Sequence, residues 1–222
     1  MRKLIASTNL MLIVFSTAAA ADDLTLRQRT NAGFESTEYW SGAKRARDLG
    51  DTRIIVDLET DTITTIDKDA KSYSVKKIPG GALLAPLTAT GNGKPATPKP
   101  ATVAVKPTGK TETIAGVEAK EYAFESESTK GSIWVADVQG IDTVGQARAM
   151  ARTSEGATSI EVLARALEQT PGIALRISLS RPTGELISAT DVTEVQRTIP
   201  ADAFTIPPDY KKVDEPQPPP VS

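Results

Sequence analysis

The sequence predicts an α+β fold that is mainly antiparallel β. Most of the chain divides into short runs with polar and apolar residues in alternation, separated by turns rich in Gly, Asn and Asp. Short connections between short strands make antiparallel neighbours. Only the region 143–169 changes to a helical period. Of 222 residues 39% are hydrophobic but only 5% aromatic, so the core has to be built from Val, Ile, Leu and Ala.

The N-terminus comes first. Arg2 and Lys3 precede an apolar stretch centred on Leu10 to Phe15, then the run Ala18 to Ala21, then Asp22 and Asp23. Charge, short apolar segment and small residues, in that order, are the marks of a secretory signal peptide. The apolar stretch falls short of the roughly 20 residues that span a bilayer. Residues 1–21 are therefore expected to be a cleaved leader and the protein to be periplasmic or secreted. Removing Arg2 and Lys3 takes the 26 basic residues to 24 against 28 acidic ones, a net charge of −4. No basic stripe points to nucleic acid, no later segment is apolar enough to span a membrane, and a monomer is expected.

Residues 22–212 read as one domain. Leu24 to Thr30, Phe34 to Trp40 and Lys44 to Leu49 form a meander with turns at Asn31-Ala32-Gly33, Ser41-Gly42 and Gly50-Asp51. Arg53 to Leu58 is a short apolar run bounded by turns, the pattern of a buried strand. Ile63 to Ile66 and Tyr73 to Lys76 continue the meander. Residues 80–107, rich in Pro, Gly, Thr and Lys, read as a long solvated loop. Strands resume at Thr111 to Ile114, with a turn at Ala115-Gly116, then Tyr122 and Phe124 on one face, and Ile133-Trp134-Val135.

A helix over 144–152 is expected from its Ala content. A stronger one follows at 158–169, opened by the capping box Thr158-x-x-Glu161, with Ile160, Leu163, Ala164 and Leu167 at helical spacing. Pro171-Gly172 ends it. Ile173, Leu175, Ile177 and Leu179 alternate with Ala174, Arg176 and Ser178, which predicts a half-buried strand with one apolar face. A return strand runs from Glu185 to Gln196, and Pro200 to Ala203 reads as one helical turn. The Pro-rich tail 213–222 is expected to be disordered.

Zero Cys and zero His restrict the chemistry. Without them there are no disulfides, thiolate nucleophiles, imidazole bases or Cys/His metal ligands. Gly109-Lys110-Thr111 lacks the earlier Gly of a phosphate loop, since Ala104 holds that position, and it precedes a strand rather than a helix. Ser41 to Lys44 and Ser74 to Lys77 match Ser-x-x-Lys, but the partner motifs of that enzyme class are absent. Asp57, Glu59 and Asp61 are spaced like the start of a calcium loop, but Thr62 and Lys68 stand where Gly and Glu are needed. Those acids read as turn residues. No catalytic residue, cofactor or metal site is assigned, and the chain is not expected to be an enzyme.

Several segments carry a resemblance. They are Ile54 to Leu58 with Lys71-Ser-Tyr73, Thr108 to Gly116 with Lys120-Glu-Tyr122, Ile133-Trp134-Val135, Gly172 to Leu175, and Ile199 to Tyr210. In order and spacing they resemble an uncharacterised exported bacterial domain-of-unknown-function family. That family is similar to the periplasmic lipoprotein carrier LolA, the receptor LolB and the lipoprotein LppX. Ala119 stands where many members have Cys, and the helical stretch 143–169 is longer than the usual link. The resemblance implies a curved, unclosed half-barrel sheet with helices on its concave face and a cavity for acyl chains. The expected ligand is a lipid or an acylated protein. Trp40, Trp134, Ile160, Leu163, Leu167, Ile173, Leu175 and Ile177 are the candidate cavity residues. The alternative is a non-catalytic envelope scaffold or interaction protein without a small-molecule ligand.

Cleavage is expected after Ala20 or Ala21, where small residues fill the peptidase subsites. Intact mass of the exported protein tests this; a mature form still carrying Met1 to Phe15 would overturn it.

Overall fold

A computed structural model describes residues 23–77, 102–138, 141, 158–170 and 172–214. Among the described residues twelve strands form one sheet: β1 (Leu24–Thr30), β2 (Glu35–Ser41), β3 (Lys44–Leu49), β4 (Thr52–Asp57), β5 (Thr62–Asp67), β6 (Ser72–Lys77), β7 (Ala104–Ile114), β8 (Val117–Glu125), β9 (Lys130–Ala136), β10 (Ile173–Ser180), β11 (Leu186–Gln196) and β12 (Lys211–Lys212). The helix described between β9 and β10 in sequence is α1 (Thr158–Glu168). The spatial order is β12-β6-β5-β4-β3-β2-β1-β11-β10-β9-β8-β7. Every pairing is antiparallel except that of β12 with β6. Two meanders, β1 to β6 and β7 to β11, are thus sewn together where β1 meets β11. The sheet curls without closing, so it is a half-barrel.

The turns follow from local chemistry. The β7–β8 hairpin turns on Ala115 and Gly116, with φ of 47° and 81°. Two consecutive positive φ angles match the right-handed twist of the flanking strands. At the β4–β5 turn the Asp57 carboxylate accepts hydrogen bonds from the amides of Glu59 (3.0 Å) and Thr60 (3.1 Å). Asp57, the first of the acids spaced like a calcium loop, is therefore a turn former.

Helix α1 covers part of the concave face. Val162, Leu163, Ala166 and Leu167 pack on Phe124 of β8, Ile133 and Val135 of β9, and Ala174 and Leu179 of β10. Burial of a Leu or Val side chain contributes about 1.5–3 kcal/mol. Gly131 sits opposite Phe124 and Leu179 in the register. A Cβ there would lie 2.0 Å from the Ser178 carbonyl and 2.6 Å from the Phe124 ring, so only glycine lets these strands approach.

The C-terminal segment covers part of the convex face. Phe204, Ile206 and Tyr210 pack on Tyr39, Ala46, Ile55, Ile66 and Tyr73. Arg53 pins this strap: its Nε and Nη2 donate to Asp48 at 2.8 and 2.9 Å, and its Nη1 donates to the Asp202 carbonyl at 2.9 Å. Lys68 reaches the same Asp48 carboxylate at 2.9 Å.

The structure corrects three sequence expectations. β7 begins at Ala104, inside the segment read as a solvated loop. Val103 and Val105 pack toward α1 and outweigh the polar composition around them. Pro107 is tolerated because β7 is an edge strand, with a register shift between Pro107 and Thr111. The strand 173–180 does not keep one apolar face. A bulge between Ala174 and Arg176 moves Ile173 and Leu175 into a different cluster from Ala174 and Leu179. Finally, the Val213 amide still bonds to the Tyr73 carbonyl at 2.8 Å, one residue into the predicted tail. The predicted leader, the helix over 144–152, most of the 80–107 loop and the rest of the tail lie outside the described residues.

Burial of Asp48 would raise its pKa, but hydrogen bonds from Arg53 and Lys68 outweigh that and hold the carboxyl below its ordinary value. Its stabilisation is present above about pH 4 and is lost as the pH falls further toward the depressed folded value. Asp48→Asn should cost about 1–3 kcal/mol at pH 7, read by urea unfolding. The gap between variant and wild type should shrink at pH 3; an equal gap at both pH values would contradict this account.

Candidate functional site: an apolar trough on the concave face

Among the described residues, α1 leaves beside it a trough of about 420 Å³. Its walls come from β1 to β4, β10, β11 and one side of α1. Register places its residues in cross-strand rows: Trp40 opposite Arg45 opposite Val56, and Glu38 opposite Arg47 opposite Ile54. Across the seam Val192 lies opposite Gln28, and Thr190 lies between Thr30 and Ile177. Leu163 of α1, Leu175, Ile177 and Leu179 supply the apolar wall on the other side.

Two arginines stand in the β3 part of this wall. Arg45 is 6% exposed, with its guanidinium 4.4 Å from the centre of the Trp40 ring. Its Nη1 donates to the carbonyls of Gly42 (2.6 Å) and Lys44 (2.7 Å). A stacked, desolvated cation of this kind contributes about 2 kcal/mol. Arg47 is more open: its Nε lies 3.5 Å from Glu38 and its Nη2 is 3.4 Å from the Ser36 hydroxyl. Glu38 also accepts from the Trp40 indole at 3.3 Å. Arg176 lines the trough as well, but its guanidinium is engaged by Glu112 at 2.8 Å and by Asp191, and it lies 5.8 Å from the Trp134 ring. Hydrogen bonds to Glu112 and then Asp191 push its pKa up, so it stays charged.

Of the eight residues singled out from the sequence, Trp40, Leu163, Leu175 and Ile177 line the trough. Leu167 is buried beneath α1 against the sheet. Ile173 and Trp134 belong to the core cluster that also holds Leu24, Leu26 and Trp40, and neither lines the trough. The side chain of Ile160 lies outside the described residues. Sequence reasoning missed Glu38, Arg45, Arg47, Ile54, Val56 and Val192. The alternation within β2, β3 and β4 is the signal that carries them, but it selects a face only once the strand register is known.

This geometry defines a class: an open antiparallel half-barrel with a helix on its concave face and an apolar trough beside that helix. The chain belongs to the family described as a domain of unknown function, DUF4412, which matches residues 35–210. No curated protein sequence matches the chain. Among solved structures it is similar to an uncharacterised conserved protein from Thermus thermophilus, with a TM-score of 0.51, 8% identity, and coverage of 89% of this chain and 93% of that one. At that identity the likeness shows the fold. Two further similar structures are of PNGF-II (TM-score 0.43, 10% identity, 87% of this chain and 32% of that one) and the Pseudomonas aeruginosa MucA/MucB complex (0.39, 14%, 83% and 56%). The chain therefore spans about a third and just over half of those two chains.

Trp40 is 1% exposed although it lines the trough, so it is part of the core as well as of the wall. Trp40→Ala should cost about 3–5 kcal/mol in chemical denaturation, and Trp40→Phe much less. A cost below about 1 kcal/mol for Trp40→Ala would show that the ring is not a structural wall, since surface substitutions have small effects.

Proposed function

We propose that this protein is a non-catalytic periplasmic binding or carrier module, and that the trough holds an apolar ligand such as a lipid or an acyl chain of an acylated protein. The observation that carries this reading is the 420 Å³ trough, lined by Trp40, Ile54, Val56, Leu163, Leu175, Ile177, Leu179 and Val192 on the concave face. That volume falls within the range of about 300–1,000 Å³ typical of small-molecule sites. A scaffold that used its sheet only for packing would fill the concave face with its own side chains.

The physical basis is burial. Each CH₂ taken from water into the trough contributes about 0.8 kcal/mol, so an acyl chain of about a dozen carbons has enough surface to offset the cost of immobilisation. The leader-like order of residues 1–21 supports an exported protein. No described helix is long and apolar enough to cross a membrane. The segments quoted above resemble a family that is similar in turn to the carrier LolA, the receptor LolB and the lipoprotein LppX, which supports the same ligand class.

Trp40 is the built-in reporter. Titration with a lysophospholipid should give a saturable change in tryptophan emission that disappears in Trp40→Phe and persists in Trp134→Phe. Leu163→Asp, which puts a carboxylate on the trough wall, should weaken binding at least tenfold, since a charge that loses water costs more than about 1.4 kcal/mol. No saturable change in the wild type with any lipid would retire the carrier reading and leave a scaffold.

A further inference from the structure

A wall that served only an apolar chain would gain nothing from arginine, because a cation beside apolar surface loses hydration. The trough nevertheless carries Arg45 and Arg47 on adjacent inward-facing positions of β3, with Glu38 as the acid beside them. Arg45 is committed to Trp40 and to two backbone carbonyls. Arg47 is not committed in this way. Its Nη2 is 3.4 Å from the Ser36 hydroxyl, at the long limit for a hydrogen bond, and its buried Nε faces the Glu38 carboxylate at 3.5 Å without hydrogen-bonding to it. Its side chain is 41% exposed, toward the trough it lines. These two contacts aim the guanidinium without saturating its five donors.

We propose that the ligand of the trough is an anionic amphiphile, whose carboxylate or phosphate head is taken by Arg47 while its chain lies along the apolar wall. The proposal rests on the reading that the trough holds an apolar ligand, and it adds the head group. On the β2 and β3 part of the wall Arg45 and Arg47 exceed Glu38 by one positive charge, while Arg176, on the opposite wall, is paired with Glu112 and Asp191. The planar fork of arginine matches both oxyanions in a bidentate geometry. Gln28, buried opposite Ser36, and the hydroxyls of Thr30, Ser188 and Thr190 add neutral polar groups to the trough lining. Glu38 opposes an anion, and it is held by the Trp40 indole at 3.3 Å as well as by Arg47.

The test is calorimetric titration of the full mature chain at neutral pH with dodecanoate, dodecyl phosphate and dodecanol, on wild type, Arg47→Gln and Arg47→Lys. Wild type should bind at least one of the anions about tenfold or more tighter than the alcohol. Arg47→Gln should weaken the anions by about tenfold and the alcohol by much less. Arg47→Lys should fall between, since it keeps the charge and loses the fork. Whichever anion binds tighter identifies the head as fatty-acid-like or phospholipid-like, and either result supports the proposal. Equal affinity of wild type for anion and alcohol overturns it while leaving apolar binding intact. Equal weakening of all three ligands by Arg47→Gln also overturns it, since that marks a structural role. Binding of none of the three overturns the carrier reading itself. If Arg47→Gln fails to fold, the anion-to-alcohol comparison on wild type still decides.

Discussion

A sheet that curls but does not close exposes both faces and both edges, and the rest of this structure follows from how the chain covers them. On the inside, α1 lays Val162, Leu163, Ala166 and Leu167 on β8, β9 and β10. On the outside, the segment around Phe204, Ile206 and Tyr210 lies across the β2 to β6 meander and ends as β12 on the edge of β6. The two covers act on different halves of the sheet. The strap backs β2 to β6, whereas the helix lines β8 to β10. The seam between β1 and β11 joins the halves, with Leu24, Leu26 and Val192 buried beside it.

Among the described residues, the eleven-residue α1 covers β8 to β10, and the trough lies beside it along the same face. Its chemistry follows from pairing register. Alternation along β3 puts Arg45 and Arg47 on one face and the Ala46 side chain on the other, where it packs under the strap. A strand with apolar residues at its inward positions would have made a uniformly oily wall. Here the wall has an apolar floor, a stacked and buried cation at Trp40, and a second cation whose hydrogen-bonding capacity is only partly used. That combination suits a molecule with a charged end and an apolar body.

The hairpins were legible because each is bounded by residues with a backbone reason to turn: Gly33, Gly42, Gly50, Asp57 and the pair Ala115-Gly116. The helix was legible because Leu163, Ala164 and Leu167 recur on one side. What was not legible is any feature that depends on how two strands pair. Trp40 and Trp134 give the same signal in sequence, a lone indole in a strand. Only register shows that the first lines the trough and the second sits with Arg176. The strict alternation of Ile173 to Leu179 predicted one face, but an inserted residue in the ladder changes the face without changing the pattern. The start of β7 was hidden by composition, since Lys106, Pro107 and Gly109 belong to a loop by propensity and to an edge strand by position.

The central claim is that the trough is an occupied binding site and not a packing remnant. Native mass spectrometry of protein produced from the full-length chain and isolated without denaturation tests it most directly. The account predicts a protein mass carrying one bound amphiphile, an adduct lost in Leu163→Asp. A bare protein mass in the wild type, from a preparation never exposed to denaturant or detergent, would contradict it.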